Sequence, residues 1–332
     1  MPKSIKFALI ADPQLGISSS FNKNISNNDW SKDLENLNKC IENINFMRRE
    51  ERQITENETT SQNHFKFTMF LGDLVHAFPF SENHDEQVLD FKKAIENIDT
   101  SDVTSTTCTK MDLRLIPGNH DLGQIPTEAA IKMYKENYNC EDYYDFIEGD
   151  FHFICVNSQP FKVDLEQEEN SLTEQTKQTT LKELTKQSKW LEKTLSNQTN
   201  QDKHKIVFMH IPPFTKTINE PTTWNNLPLK NRKYLCGLFS EFKVEYIFTG
   251  HCHKNLEVLE FSENSAENSE NHANHKTKII PLGSSSFNAD IFCEDGKWSI
   301  LEDKEDKLGW FIVELKVDGD GKVSIEKKLQ TI

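Results

Sequence analysis

Eight apolar runs of strand length divide the chain, and the residues that end them constrain the fold more than the runs themselves. The runs are IKFALIA (5–11), FKFTMFLG (65–72), LRLIP (113–117), FHFICVN (151–157), KIVFMH (205–210), VEYIFTG (244–250), KIIPLG (278–283) and GWFIVEL (309–315). Each mixes Ile, Val, Phe and Leu, as expected of strands buried on at least one face. Five of them finish on side chains that ligate metals or move protons. Asp12 follows the first and Asp73 the second; Asn119, His120 and Asp121 follow the third; His210 ends the fifth; His251 and His253 follow the sixth. Open α/β sheets bind ligands at the carboxyl ends of their strands. One such residue reads as a cap or a turn, whereas five strand ends in one chain read as a shared site.

Between these runs lie helical patterns. Residues 30–50 place Leu34, Leu37, Ile41, Ile44 and Phe46 near one face; 128–138 form a second helix; 182–198 form a third with the stripe Leu184, Trp190, Leu191 and Leu195. Strand and helix alternate early, while the last third is strand-rich and carries the hairpin signal VDGDGK at 317–322. The pattern predicts a layered α/β domain with part of its sheet antiparallel. The 332 residues read as a single domain, 1–332, with polar insertions at 51–63, 162–180 and 263–276 that lack a face to bury. His272 and His275, in an Asn/Ser-rich tract, read as solvated.

A net charge of −15 argues against general affinity for nucleic acid or an anionic membrane, although a bound cation can reverse the field locally. No apolar run approaches membrane-spanning length, and the first residues pass into a strand without a cleavable leader pattern. Seven scattered cysteines without a C-x-x-C pair predict no disulfide framework and a reducing, cytoplasmic setting.

The ligand types decide the chemistry. Asp, Asn and His without thiolate suit two Mn, Mg, Fe or Zn ions, with one carboxylate bridging them. Such a pair lowers the pKa of bound water and so supplies a hydroxide nucleophile at neutral pH. Cys252, inside GHCH, alternates away from its flanking histidines and reads as packing.

The order Asp-x-(His/Gln), Gly-Asp, Gly-Asn-His-Asp, His, Gly-His-x-His resembles the calcineurin-like metallophosphoesterase superfamily. The stretches ADPQLG, GDLVHAFP, IPGNHDLGQIPT, VNSQ, HIPPF, WNNLP and FTGHCHKN are similar to its subgroup of calcineurin-like phosphoesterase domain-containing proteins, over about residues 5–255. Beyond them the resemblance thins to PLGSSSF and GWFIVEL. The resemblance implies a layered β-sandwich of mixed sheets flanked by helices. It implies that Asp73 bridges two metals, that Asp12 and His253 bind the first, and that Asn119, His210 and His251 bind the second. Gln14 stands where the family usually has histidine. His120 then contacts the phosphoryl group and protonates the leaving oxygen. The activity implied is hydrolysis of phosphomonoesters, foremost as a serine/threonine protein phosphatase on phosphorylated protein or small phosphoester substrates. The alternatives are a phosphodiesterase or nucleotide pyrophosphatase, and a scaffold with its catalysis lost.

Four readings stay open on the residues. Asp121 either orients or charge-pairs His120 or caps the turn. His76 either reaches the substrate or satisfies a carbonyl. Asn157 either supports the site or makes a turn. Gln14 offers a neutral carbonyl oxygen, which predicts weaker first-metal binding tilted toward Mg or Mn.

Overall fold

A computed structural model of the chain describes residues 3–21, 26, 28–55, 64–99, 112–165, 172–262, 275–294, 297–302 and 306–332. The strands among them are β1 (Lys3–Ile10), β2 (Phe65–Leu71), β3 (Asp112–Ile116), β4 (Tyr144–Glu148), β5 (Phe151–Val156), β6 (His204–Met209), β7 (Val244–Thr249), β8 (Leu259–Phe261), β9 (Thr277–Pro281), β10 (Ala289–Glu294), β11 (Lys297–Glu302), β12 (Gly309–Val317) and β13 (Val323–Thr331). The helices are α1 (Ile17–Phe21), α2 (Ser31–Thr55), α3 (His84–Glu96), α4 (Asn119–Leu122), α5 (Glu128–Tyr138), α6 (Gln159–Lys162), α7 (Glu174–Leu195) and α8 (Leu229–Glu241).

One sheet runs β13-β12-β1-β2-β3, the other β4-β5-β6-β7-β9-β8, and β10 and β11 form a separate hairpin. In the first sheet β1, β2 and β3 are parallel while β12 and β13 are antiparallel additions. In the second, β5, β6, β7 and β9 are parallel and the two edge strands antiparallel. Both sheets are therefore mixed, as the resemblance implied.

Side chains alternating along each strand feed two cores. From β1, Ile5, Phe7 and Leu9 enter the space between the sheets, and Ala8 and Ile10 face the helices outside. The central core is phenylalanine-rich. Phe7 stacks on Phe67 at 4.7 Å between ring centroids and meets Phe153, Phe208 and Phe248 edge-on at 5.7, 5.9 and 6.0 Å. Burying each such ring stabilises the sandwich by roughly 1.5–3 kcal/mol. Leu37, Cys40 and Ile41 of α2 with Val88 and Phe91 of α3 cover the first sheet. Leu191 and Leu195 of α7 with Leu235 and Phe239 of α8 cover the second. The molecule is thus four layers, helix–sheet–sheet–helix.

All eight apolar runs lie on strands, and the helix expected at 128–138 is α5. Three expectations need correction. Phe46 is 56% exposed and lies off the buried face of α2, whose stripe is Leu37, Ile41 and Ile44. Helix α7 starts at Glu174, inside the segment read as a polar insertion, because Thr173 caps it by accepting a hydrogen bond from Thr176 N. Its Thr180 is buried. Helices α3 and α8 were not anticipated. Residues 56–63 and 263–274 of the other two insertions, His272 included, lie outside the described residues. His275 Nε2 lies 2.8 Å from the Val244 carbonyl rather than in solvent alone.

Candidate metal centre

At the shared carboxyl end of both sheets the chain turns sharply five times. Asp12, Gln14, Asp73, His251 and His253 all have left-handed backbones, with φ of 47°, 33°, 49°, 69° and 50°. Each such conformation costs on the order of 1–3 kcal/mol and persists only where the surroundings fix it. Here hydrogen bonds do so. The Asp12 carboxylate accepts from His251 N at 3.0 and 3.1 Å, and Gln14 N donates to the Asp73 carbonyl at 2.9 Å. Ser284 Oγ donates to the Asp12 carbonyl at 2.7 Å and Ser286 Oγ to that of Pro13 at 2.5 Å. Glycine is required beside two of the acids. A Cβ on Gly118 would fall on the Asp73 carboxylate, and one on Gly250 would lie 2.5 Å from Asp12 Oδ2.

The side chains converge on two overlapping triads, Asp73–His210–His251 and Asp12–Asp73–His253, in each of which the donor atoms lie within 4.8 Å of one another. Asp73 belongs to both. Asp12, Asp73 and Asn119 come from the ends of β1, β2 and β3 in one sheet, and the three histidines from the ends of β6 and β7 in the other. The centre therefore straddles the seam between the sheets.

Each histidine is oriented from behind. His210 Nδ1 donates to the Leu71 carbonyl at 2.7 Å, His251 Nε2 to that of Trp224 at 3.0 Å, and His253 Nδ1 to that of Phe287 at 2.6 Å. A carbonyl only accepts, so the proton sits on the outer nitrogen and the inner one presents a lone pair. These lone pairs face other acceptors. His210 Nε2 is 3.2 Å from His251 Nδ1, 3.2 Å from Asn119 Oδ1 and 3.4 Å from Asp73 Oδ2. His253 Nε2 is 3.8 Å from Asp12 Oδ1. Gln14 Oε1 is buried without a hydrogen-bond partner. Acceptors packed around a common point, with an orphaned carbonyl oxygen at its edge, fit divalent cations.

Electrostatics agree. Burial pushes the Asp12 carboxyl up, and Asp73 adds to the push against the charge of His210. Burial, then Asp73, likewise raises Asp121. Burial opposes ionisation of Asp73 too and is the largest single effect, but the charges of His210, His120 and His251 and the His210 hydrogen bond together outweigh it and hold Asp73 below the usual carboxylate range. His210 would fall by burial alone and is lifted to about 9, foremost by Asp73. Burial takes His251 well below its ordinary value and His253 to about 4.

His120 sits beside the triads. Its backbone N donates to Asp73 Oδ1 at 2.8 Å, and its Nδ1 donates to the His76 carbonyl at 2.5 Å. Its ring lies between Phe78 at 4.4 Å and His76 at 4.7 Å. His76 Nδ1 lies 3.3 Å from Gln14 Nε2, so His76 is part of the centre's wall. Asp121 does not pair with the His120 ring. Its oxygens accept from Gly118 N at 2.7 Å and Leu74 N at 3.1 Å, tying the loops after β2 and β3 together. Asn157 bonds to Asp142 and Gln159, away from the centre. Cys252 Sγ approaches the Asn225 carbonyl at 3.9 Å and belongs to neither triad. The sequence reading missed the supporting groups: the carbonyls of Leu71, Trp224 and Phe287, and Ser284 and Ser286, whose signal was only the short PLGSSSF stretch.

The profile of the family described as calcineurin-like phosphoesterase matches residues 5–255, about three quarters of the chain. The chain belongs to the calcineurin-like phosphoesterase family. Among its relatives is the serine/threonine-protein phosphatase CPPED1 of Rattus norvegicus, 29% identical over 249 residues, which are 74% of this chain and 68% of that protein. The Homo sapiens protein of the same name is 29% identical over 254 residues, 75% of this chain and 69% of that one. Among solved structures, a purple acid phosphatase from yellow lupin seeds superposes with a TM-score of 0.55 at 17% identity. That match covers 100% of this chain, which spans only 53% of the lupin enzyme, and it supports the shared fold.

Proposed function

We propose that this phosphoesterase hydrolyses phosphomonoesters, phosphoserine and phosphothreonine of proteins foremost, at a two-cation centre. The observation that carries the reading is the single Asp73 carboxylate shared by two donor triads at the seam of the sheets. The names of the CPPED1 relatives support the substrate class. In this reading Asp12, Gln14 and His253 would hold one cation, Asn119, His210 and His251 would hold the other, and Asp73 would serve both. The cations, when bound, supply an activated water and screen the phosphoryl oxygens.

The chain does the rest. Burial of Asp12, Asp73 and the three histidines excludes bulk water, which strengthens every charge interaction there. His120 Nδ1 is held by the His76 carbonyl, so Nε2 is the nitrogen left to hand a proton to the leaving oxygen. Asp121 is a positioning residue, holding the Gly118 turn that carries Asn119 and His120. The neutral Gln14 oxygen supports manganese or magnesium over zinc or iron at its side. Five free cysteines among the described residues support a reducing, cytoplasmic setting. A net charge of −15 supports a protein or small-molecule substrate rather than nucleic acid or a membrane surface. One domain over 1–332 is supported by β12, which pairs with β1 and so ties the chain's last part into its first sheet.

The test compares p-nitrophenyl phosphate, bis-p-nitrophenyl phosphate and a phosphoserine/phosphothreonine peptide panel, with manganese or magnesium and an EDTA control. Asp73→Asn should abolish monoester turnover. A preference for the diester would overturn the substrate class. Inactivity on every ester with any divalent ion would leave a scaffold.

A further inference from the structure

Lys162 ends the four-residue helix α6, at the start of the segment whose composition reads as a solvated insertion. Its ammonium does something else. Lys162 Nζ donates to three consecutive-loop carbonyls, those of Thr223 at 2.6 Å, Trp224 at 3.0 Å and Asn226 at 2.6 Å. The middle one is also the carbonyl that accepts from His251 Nε2 at 3.0 Å. One oxygen thus bridges a lysine ammonium and the outer nitrogen of a histidine whose inner nitrogen faces the centre. The Trp224 ring packs on the His251 ring with centroids 4.0 Å apart, so the same residue orients the imidazole through both backbone and side chain.

We infer that Lys162 is a positioning residue for the metal centre, fixing the orientation and tautomer of His251 through the Trp224 carbonyl. The chemistry follows from the geometry. A carbonyl with two lone pairs can accept from both donors at once, and the ammonium holds the oxygen where the imidazole N–H must find it. Without the cation, residues 223–226 lose three charge-assisted hydrogen bonds. His251 then loses the fixed acceptor that keeps its proton on Nε2 and its lone pair on Nδ1, toward His210 and Asp73. Groups that orient a histidine ligand in this way typically change metal affinity 10–100-fold when removed. Lys162 is 89 positions from His251 in the chain, so no local motif announces it.

The inference rests on the proposed metal role of His251, and the experiment separates the two. Manganese binding is titrated against a chelator in the parent chain, Lys162→Met and Lys162→Arg, with the melting temperature of each cation-free protein recorded alongside. Nitrogen-15 spectra of histidine-labelled, EDTA-treated protein report the His251 tautomer directly. The expected result is a 10–100-fold loss of affinity for one of two ions in Lys162→Met, with a mixed His251 tautomer. Lys162→Arg, which keeps the charge and its donors, should recover most of the affinity and the Nε2–H form. Two ions bound at parental affinity by Lys162→Met would overturn the inference and leave the metal reading standing. A parent chain that binds no divalent ion would overturn both. If Lys162→Met does not fold, Lys162→Gln decides on the same two readouts: one ion weakened and the tautomer mixed supports, both unchanged overturns.

Discussion

Gln14 is drawn two ways. Its Nε2 lies 3.3 Å from His76 Nδ1, while its Oε1 is buried without a partner and its backbone is held at a φ of 33° by the turn after β1. An imidazole at this position would bring a softer nitrogen donor to the Asp12–Asp73–His253 side. Gln14→His is therefore expected to raise zinc affinity relative to manganese and magnesium, measured by competition titration; an unchanged order of preference would remove Gln14 from the ligand set. His120→Asn is expected to keep the ion content of the parent yet lower kcat by about 10²–10⁴-fold on alkyl phosphates. The loss should be smaller on p-nitrophenyl phosphate, whose leaving group departs without protonation, and equal losses on both would take the acid role from His120. Residues with metal-binding side chains at strand ends were legible because strand pattern and chemistry coincide there. Asp121 was legible only as an acid in the right stretch. Its bonds to Gly118 N and Leu74 N arise from two loops meeting in space, and they make it a tie between turns rather than a partner of His120.

Among the elements, the loop between β6 and α8 owes its shape to charges turned inward. Glu220 accepts from Thr215 N at 2.8 Å, Lys216 N at 2.7 Å and Thr217 N at 3.0 Å, and from Asn226 Nδ2. Arg232 donates to the carbonyls of Ile218 at 2.9 Å, Glu220 at 2.7 Å and Leu227 at 2.7 Å. Burial alone would raise the Glu220 pKa, but these donors outweigh it and the folded value is lowered. A carboxyl whose pKa is depressed on folding stabilises fully above its ordinary value of 4.5, and that contribution is lost as pH falls through the lower folded value. Acidification below the ordinary glutamate range should therefore release residues 215–226, seen as lower amide protection factors there, and Glu220→Gln should remove the pH step. A loop whose protection factors stay unchanged as pH falls from 6 until the whole chain unfolds would refute this. The same element shows why composition misled at 162–180. Polar residues predict exposure only while their partners are water, and Lys162 finds its partners inside the protein.

On the scale of the molecule, the strand pattern made the layered α/β class legible, and periodicity made α5 and most of α2 and α7 so. Helix α8 was not, because Gly237 breaks its pattern and Arg232 sits fully buried on the loop it anchors. Cations that bind only the folded chain stabilise it by mass action, about 2.7 kcal/mol at a free concentration one hundred times Kd. Calorimetry with manganese and then with EDTA should show the melting temperature rise and fall accordingly, and no shift under saturating ion would count against the whole centre. The ligand sets come from opposite sheets, and Phe7, Phe67, Phe153, Phe208 and Phe248 are the spacers between those sheets. The distance between the acids and the imidazoles thus depends on how these rings meet edge-on across the two sheets. Resizing one ring, far from any substrate, would then be expected to change the width between the two ligand sets.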